Sequence, residues 1–257
     1  MKVLKFGGTS LANASRMRLV AEILLRESNC VVVCSAMAGV TDALHGISRA
    51  WEQQKSSGMY EMIQSLRLFF EKEAAALLAD QDRLRVAQRF LADRFWTIWS
   101  RLGNPWSANG AAWLVAQGEM ITCALFVQYL QQNGSRALLL DALRLIRLNA
   151  MGEPEVEDIR AKISAAYGNL DQGCYVVQGY VCRDTPGQIT TLSRGGSDYT
   201  ATLLGAALNA SCIEVWTDVD GVRNNDPRHV PHTKPLRTMS YDEAAEMAYF
   251  GARILHP

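Results

Sequence analysis

Residues 30–35 read Cys30-Val31-Val32-Val33-Cys34-Ser35, and this run constrains the chain more than any other. Three consecutive β-branched valines between cysteines leave no polar alternation, so neither face of such a strand suits water. A strand apolar on both faces belongs in a parallel sheet with helices on either side. Short apolar runs recur at 3–6, 137–141, 175–180, 188–192 and 212–217, separated by stretches of helical periodicity. That alternation marks an α/β fold rather than a sandwich or a bundle. A chain of 257 residues makes one large domain or two intimate lobes, with a substantial core.

Among the helical stretches, 15–28 lines up Met17, Val20, Ala21, Leu24 and Leu25 on one stripe, and 155–167 does so more weakly. Residues 59–102 hold neither proline nor glycine and are rich in Leu, Ala, Glu, Gln and Arg, which predicts a helical hairpin or a bent helix pair. Phe69, Phe70, Phe90, Phe95, Trp96 and Trp99 recur there at helical spacing and read as core. Ser240-Tyr241-Asp242-Glu243 has the form of a capping box opening a helix that reaches about Phe250.

Charge excludes several function classes. The 26 basic residues cancel the 26 acidic ones, so no global field draws in nucleic acid or an anionic membrane, and any anion must be bound locally. The six cysteines include no CxxC pair and, with only four histidines, match no zinc spacing; buried reduced thiols are expected. No run approaches about 18 uninterrupted apolar residues. The N-terminus is broken by glycine too soon for a signal peptide, so a cytoplasmic protein is expected.

Chemistry-bearing residues gather just after the predicted strands. Lys5-Phe6-Gly7-Gly8-Thr9-Ser10 joins a lysine to two glycines whose N–H groups can approach an anion, a phosphate cradle in kind or else a plain strand-end turn. Ser35-Ala36-Met37-Ala38-Gly39-Val40-Thr41 is a second small-residue loop with two hydroxyls. In a parallel sheet both belong to the crevice outside the carboxyl ends of the strands. Ser193-Arg194-Gly195-Gly196-Ser197-Asp198 precedes a helix that Ser197 is placed to cap, an anion site beside a guanidinium. Trp216-Thr217-Asp218-Val219-Asp220-Gly221-Val222, with Asp226-Pro227-Arg228, reads either as a nucleotide-lining segment or as a hairpin with an Asp-Gly turn. Gln117-Gly118-Glu119 sets a lone carboxylate at an expected break in the helix of 111–130, where a solvated helix glutamate is the usual explanation. P-loop, Rossmann, hydrolase, zincin and protein-kinase motifs are all missing, and the histidines form no cluster.

These blocks, with Thr191-Leu192 ahead of the arginine block, Tyr199 after it, and Tyr249-Phe250-Gly251-Ala252-Arg253-Ile254-Leu255-His256-Pro257, resemble the aspartate kinase family of the amino acid kinase superfamily over essentially the whole chain. The resemblance implies a three-layer αβα sandwich around a mainly parallel sheet. It implies residues 1–192 as an amino-acid-binding lobe with a helical insert and 193–257 as a nucleotide-binding lobe. It also implies ATP with Mg²⁺, L-aspartate as acceptor and 4-phospho-L-aspartate as product, the step opening lysine, threonine and methionine biosynthesis.

Carried over by motif, Lys5 neutralises the phosphoryl oxygens beside Gly7, Gly8, Thr9 and Ser10, and Asp198 holds that lysine. Arg194 clamps the α-carboxylate, Glu119 meets the α-ammonium, and Ser35 and Thr41 lend hydroxyls. Gly195, Gly196, Ser197, Thr217, Asp218, Arg223, Arg228 and Arg253 go to the nucleotide, and no residue is assigned as a metal ligand. Arg223 stands where the family often has tyrosine, and Arg253 where it has lysine, keeping the charge without the compact ammonium. The family usually continues into regulatory domains or a fused enzyme. The expectation is therefore a catalytic part of a longer protein, uninhibited by lysine or threonine through such domains, with a homodimer left open.

The chemistry suits the inventory. A β-carboxylate of pKa about 3.9 is already ionised and needs no general base, so the obstacle is repulsion between anions. Catalysis then rests on positioning and charge stabilisation. The competing readings are an acetylglutamate or glutamate 5-kinase, against which the Arg194–Tyr199 block and Gln117-Gly118-Glu119 argue, and a nucleotide-binding module without turnover.

Overall fold

The computed structural model describes residues 1–192, 195–226 and 229–251. In chain order the elements are β1 (Lys2–Phe6), α1 (Ala14–Leu24), β2 (Asn29–Cys34), α2 (Val40–Glu52), α3 (Ser56–Leu77), α4 (Gln81–Leu102), α5 (Ala108–Gln132), β3 (Ala137–Leu140) and α6 (Ala142–Leu145). They continue with α7 (Val156–Tyr167), β4 (Gly173–Gln178), β5 (Val181–Arg183), β6 (Ile189–Thr191), α8 (Gly196–Ala207), β7 (Cys212–Trp216) and α9 (Tyr241–Tyr249). Five strands form a wholly parallel sheet in the order β3-β4-β2-β1-β7.

The period-2 alternation of side chains sorts the sheet into two faces. Leu4, Phe6, Cys30, Val32, Cys34, Cys174 and Val176 pack under α1–α5, while Val3, Val31, Val33, Tyr175 and Val177 pack under α6–α8. The valine run of β2 is buried throughout, as a strand covered on both sides requires. Each fully buried Val or Leu contributes roughly 1.5–3 kcal/mol relative to exposure, so the paired faces dominate the stability of the fold. This is the three-layer αβα arrangement.

Several expectations need correction. The strand at 188–192 does not join the main sheet: β6 pairs antiparallel with the unforeseen β5. The reason is local, since Gly187 at φ +90° and the Asp184 carboxylate, which accepts the Gln188 N–H at 2.6 Å, close a tight turn. No break interrupts α5 at 117–119. Gly118 is there for contact, because a Cβ would lie 2.9 Å from the Ala36 Cβ and 3.1 Å from Val40 Cγ1. This 25-residue helix is long and apolar enough to cross a bilayer by length and composition, but it is the core of the helical layer and mostly buried. The 59–102 stretch is the expected hairpin of α3 and α4. Phe70 and Phe95 are core, yet Trp96 and Trp99 face outward. Cys212 is exposed, unlike the other five cysteines. The Ser240–Glu243 capping box forms as expected at the start of α9.

Candidate active site at the carboxyl ends of the strands

The register fixes where the site lies. Phe6 pairs with Cys34 on one side and Trp216 on the other, and Cys34 pairs with Gln178, so four strands end at one level. The ladder even runs one step further: Ser35 N–H donates to Phe6 O at 3.1 Å and Gly179 N–H to Cys34 O at 2.9 Å. The chain leaves β1 for β2 through α1 on one face and leaves β4 for β7 through α8 on the other. That reversal opens a crevice above β1 and β2.

Lys5 points to the α8 face with Val3, and its Nζ lies 2.7 Å from Asp198 Oδ1, with both side chains largely buried. It is a charge contact rather than a well-aligned hydrogen bond. Above it Gly7 and Gly8 begin a turn closed by Ser10 N–H to Gly7 O at 3.1 Å and Leu11 N–H to Gly8 O at 3.2 Å, with Thr9 exposed at its tip. Gly8 has no room for a side chain, because a Cβ would meet Ala36 O at 2.8 Å.

Helix α8 starts beside this turn. Gly195 caps it at φ +85°, and a Cβ on Gly196 would meet Leu192 Cβ at 2.7 Å and Tyr180 Cδ2 at 2.9 Å. The positive end of the helix therefore opens onto the crevice with bare amides, and Asp198 sits in its first turn. The expected Ser197 cap does not form. Ser197 is buried, its Oγ accepts from Ser35 Oγ at 3.0 Å, and it rests on Gly179, where any Cβ would approach its Oγ to 2.5 Å. That contact joins the β2 loop to α8.

Glu119 is the opposite of a solvated helix glutamate: it is 3% exposed. Its Oε1 accepts the Ala36 N–H at 3.2 Å, while Oε2 is buried without a hydrogen-bond partner among the described residues. Burial pushes its pKa up to about 7, against the opposing pull of the Ala36 amide. A buried carboxylate oxygen with no donor is a place for a cation to enter. Gln117 serves a different contact, bridging Arg94 Nη1 at 3.1 Å and the Trp113 carbonyl at 2.7 Å.

The remaining candidates divide. Thr41 sits half-buried in the first turn of α2. Thr217 and Asp218 are exposed beyond β7 and bonded to each other at 3.1 Å. Arg223 is committed to its own loop, with Asp220 gripped at 3.0 and 2.8 Å and the Thr233 carbonyl and hydroxyl at 2.8 Å. Arg194, Arg228 and Arg253 lie outside the described residues. Among the described residues no group of three His, Cys, Asp or Glu side chains is arranged to hold a metal. The Gly179-Tyr180 turn at the end of β4 escaped the sequence reading, although a glycine directly after a strand was the signal used for Gly7.

Comparison with known proteins agrees with this architecture. The chain is 33% identical over 261 residues to lysine-sensitive aspartokinase 3 of Escherichia coli K12, covering 99% of this chain and 57% of that protein. It is 32% identical to the chloroplastic bifunctional aspartokinase/homoserine dehydrogenase of Daucus carota, covering 98% of this chain and 28% of that one. The crystal structure of E. coli aspartokinase III with aspartate and ADP superposes with a TM-score of 0.88 at 32% identity, over the whole of this chain and 58% of that one. The chain thus spans a little over half the length of the E. coli relative and far less of the bifunctional one. The amino acid kinase family matches residues 1–257 from end to end, and this chain, with its parallel sheet between helical layers, belongs to that family.

Proposed function

We propose that this chain carries an aspartate kinase activity, transferring the γ-phosphoryl group of ATP to the β-carboxylate of L-aspartate to give 4-phospho-L-aspartate. One observation carries the reading: a single crevice has a fixed cation at one end, Lys5 held by Asp198, and a buried, half-paired carboxylate at the other, Glu119. The first suits phosphoryl oxygens and the second suits an α-ammonium. The E. coli relative solved with aspartate and ADP supports the same pair of ligands.

In this reading aspartate binds between Glu119 and the hydroxyls of Ser35 and Thr41, with Arg194 taking the α-carboxylate. Its β-carboxylate attacks as it stands, because it is already ionised. Lys5 and the amides of Gly7, Gly8, Gly195 and Gly196 neutralise the transferring group, and Asp198 keeps the lysine in place. Thr9, Ser10, Ser197, Thr217, Asp218, Arg228 and Arg253 remain candidate nucleotide contacts, and Arg223 a support for their loop. Mg²⁺ supplies further charge neutralisation when bound with the nucleotide. Asp198, in the first turn of α8, is engaged by Lys5, which favours an ion held mainly by phosphate oxygens and water. Regulatory or fused domains in a longer chain fit the bifunctional relatives.

Coupled ADP release measured with and without L-aspartate tests the proposal, with hydroxylamine trapping of the acyl phosphate across a panel of acceptors. Aspartate-dependent release and a trapped aspartyl product are expected. Turnover confined to glutamate or acetylglutamate would move the assignment within the family, and ATP binding without turnover would leave a nucleotide-binding module.

A further inference from the structure

Two threonines unused so far sit within one turn of the site acids. Thr122 follows Glu119 on α5 and Thr200 follows Asp198 on α8, and both are fully buried. Their hydroxyls make the same pair of contacts. Thr122 Oγ1 donates to Gly118 O at 2.8 Å and accepts the Met37 N–H at 3.1 Å. Thr200 Oγ1 donates to Gly196 O at 2.8 Å and accepts the Tyr180 N–H at 3.1 Å. Bonding back four residues is a local habit of mid-helix threonine. Accepting an amide from a separate strand-end loop is not, and it leaves that amide dependent on one hydroxyl.

Both loops are also pressed onto their helices at glycines: Gly118 lies against Ala36, and Gly196 against Tyr180. Tyr180 is held at φ +71°, a region a bulky side chain seldom occupies, so its amide anchor restrains a strained turn.

We propose that Thr122 and Thr200 are positioning residues, fastening the β2–α2 loop and the β4–β5 turn to the helices that bear Glu119 and Asp198 and so setting the distance between the two ends of the crevice. The division of labour rests on the proposed function; the fastening itself does not. Thr122 holds the loop of Ser35 and Ala36, whose amide meets Glu119, and acts on acceptor binding. Thr200 holds the turn against the start of α8, and acts through Asp198 on Lys5.

Replacing hydroxyl by methyl in Thr122→Val and Thr200→Val, with Thr→Ser at both sites as the conservative control, separates these roles. Thr122→Val should raise the KM for aspartate about tenfold with kcat little changed, and Thr200→Val should lower kcat about tenfold with a smaller change in KM; serine should restore both. A merely structural role would lower the thermal midpoint of both valine variants without parting KM from kcat, and that result overturns the proposal. Amide hydrogen exchange in the full-length wild-type protein reads the fastening without substrate or variant. Met37 and Tyr180 should exchange as slowly as the central strands, and fast exchange at either overturns the fastening even if a valine variant fails to fold. Slow exchange in a protein that does not use aspartate would fault the functional reading alone.

Discussion

At the scale of single residues, the site is defined by two charges whose surroundings differ. Lys5 is paired with Asp198, and in the proposed transfer it gains a further partner only as a phosphoryl group develops charge beside it, which puts its value in the transition state. Lys5→Ala is expected to lower kcat by about 10²–10³ while leaving ATP affinity within a few-fold; equal losses in both, read by kinetics and nucleotide titration, would remove the role. Glu119 is governed by burial. Its carboxyl is raised from 4.5 to about 7, so it binds its proton more tightly in the folded state than in the unfolded one. Stability therefore falls as pH climbs from about 4.5 to about 7, by at most on the order of 3 kcal/mol, and levels off above that. In the proposed role beside the α-ammonium of aspartate, Glu119 must be ionised. The KM for aspartate should rise up to about tenfold per pH unit below pH 7. Glu119→Gln should flatten the stability profile between those pH values; a variant keeping the wild-type slope in urea unfolding would place the titration elsewhere.

At the scale of elements, packing decides where glycine is needed. In α5 a Cβ on Gly118 would press to 2.9 Å on Ala36, whereas in α3 a Cβ on Gly58 meets nothing within 4 Å. Gly58→Ala should stabilise by up to about 1 kcal/mol through helix propensity. Gly118→Ala, carrying the same propensity gain, should still lose about 1–2 kcal/mol by overpacking the β2 loop; a denaturation midpoint at or above wild type would contradict the close approach. This contrast also explains what the sequence made legible. Strand positions were readable because the valine run and its neighbours are apolar on both faces, and strand-end loops were readable from lysine, serine and glycine directly after them. The glycine of Gln117-Gly118-Glu119 was legible as unusual but not as a packing surface, since its partner Ala36 lies 82 positions away in the chain. Helix α2 was hidden because the Ser35–Thr41 motif runs into its first turn behind Gly39. Trp96 and Trp99 show the limit of helical spacing: it identifies a repeating arc of α4 but not which part of the arc another helix covers.

At the scale of the whole molecule, protection is uneven across the sheet. Strands β4, β2 and β1 are enclosed by both helical layers, while β7 is the outermost strand on its side among the described residues, and its Cys212, Ile213, Val215 and Trp216 reach solvent. The cysteines sample this gradient. Cys30, Cys34, Cys123 and Cys174 lie under the larger helical layer and Cys182 under the smaller, all buried; only Cys212 is exposed. Reactivity needs both a thiolate and a path for the reagent. Burial raises the thiols of Cys123 and Cys182, the latter to about 12, and Cys174 is raised as well, chiefly by its neighbour Cys30. Cys30 is lowered by that same contact, but no reagent reaches it at zero exposure. An aromatic disulfide reagent added to the native protein should therefore release one equivalent quickly, with the other five appearing only at the rate of global unfolding. Cys212→Ser should delete the fast class and leave the slow one unchanged. Two or more fast thiols, or a fast class that survives Cys212→Ser, would mean that the helical layers open far more readily than their packing allows.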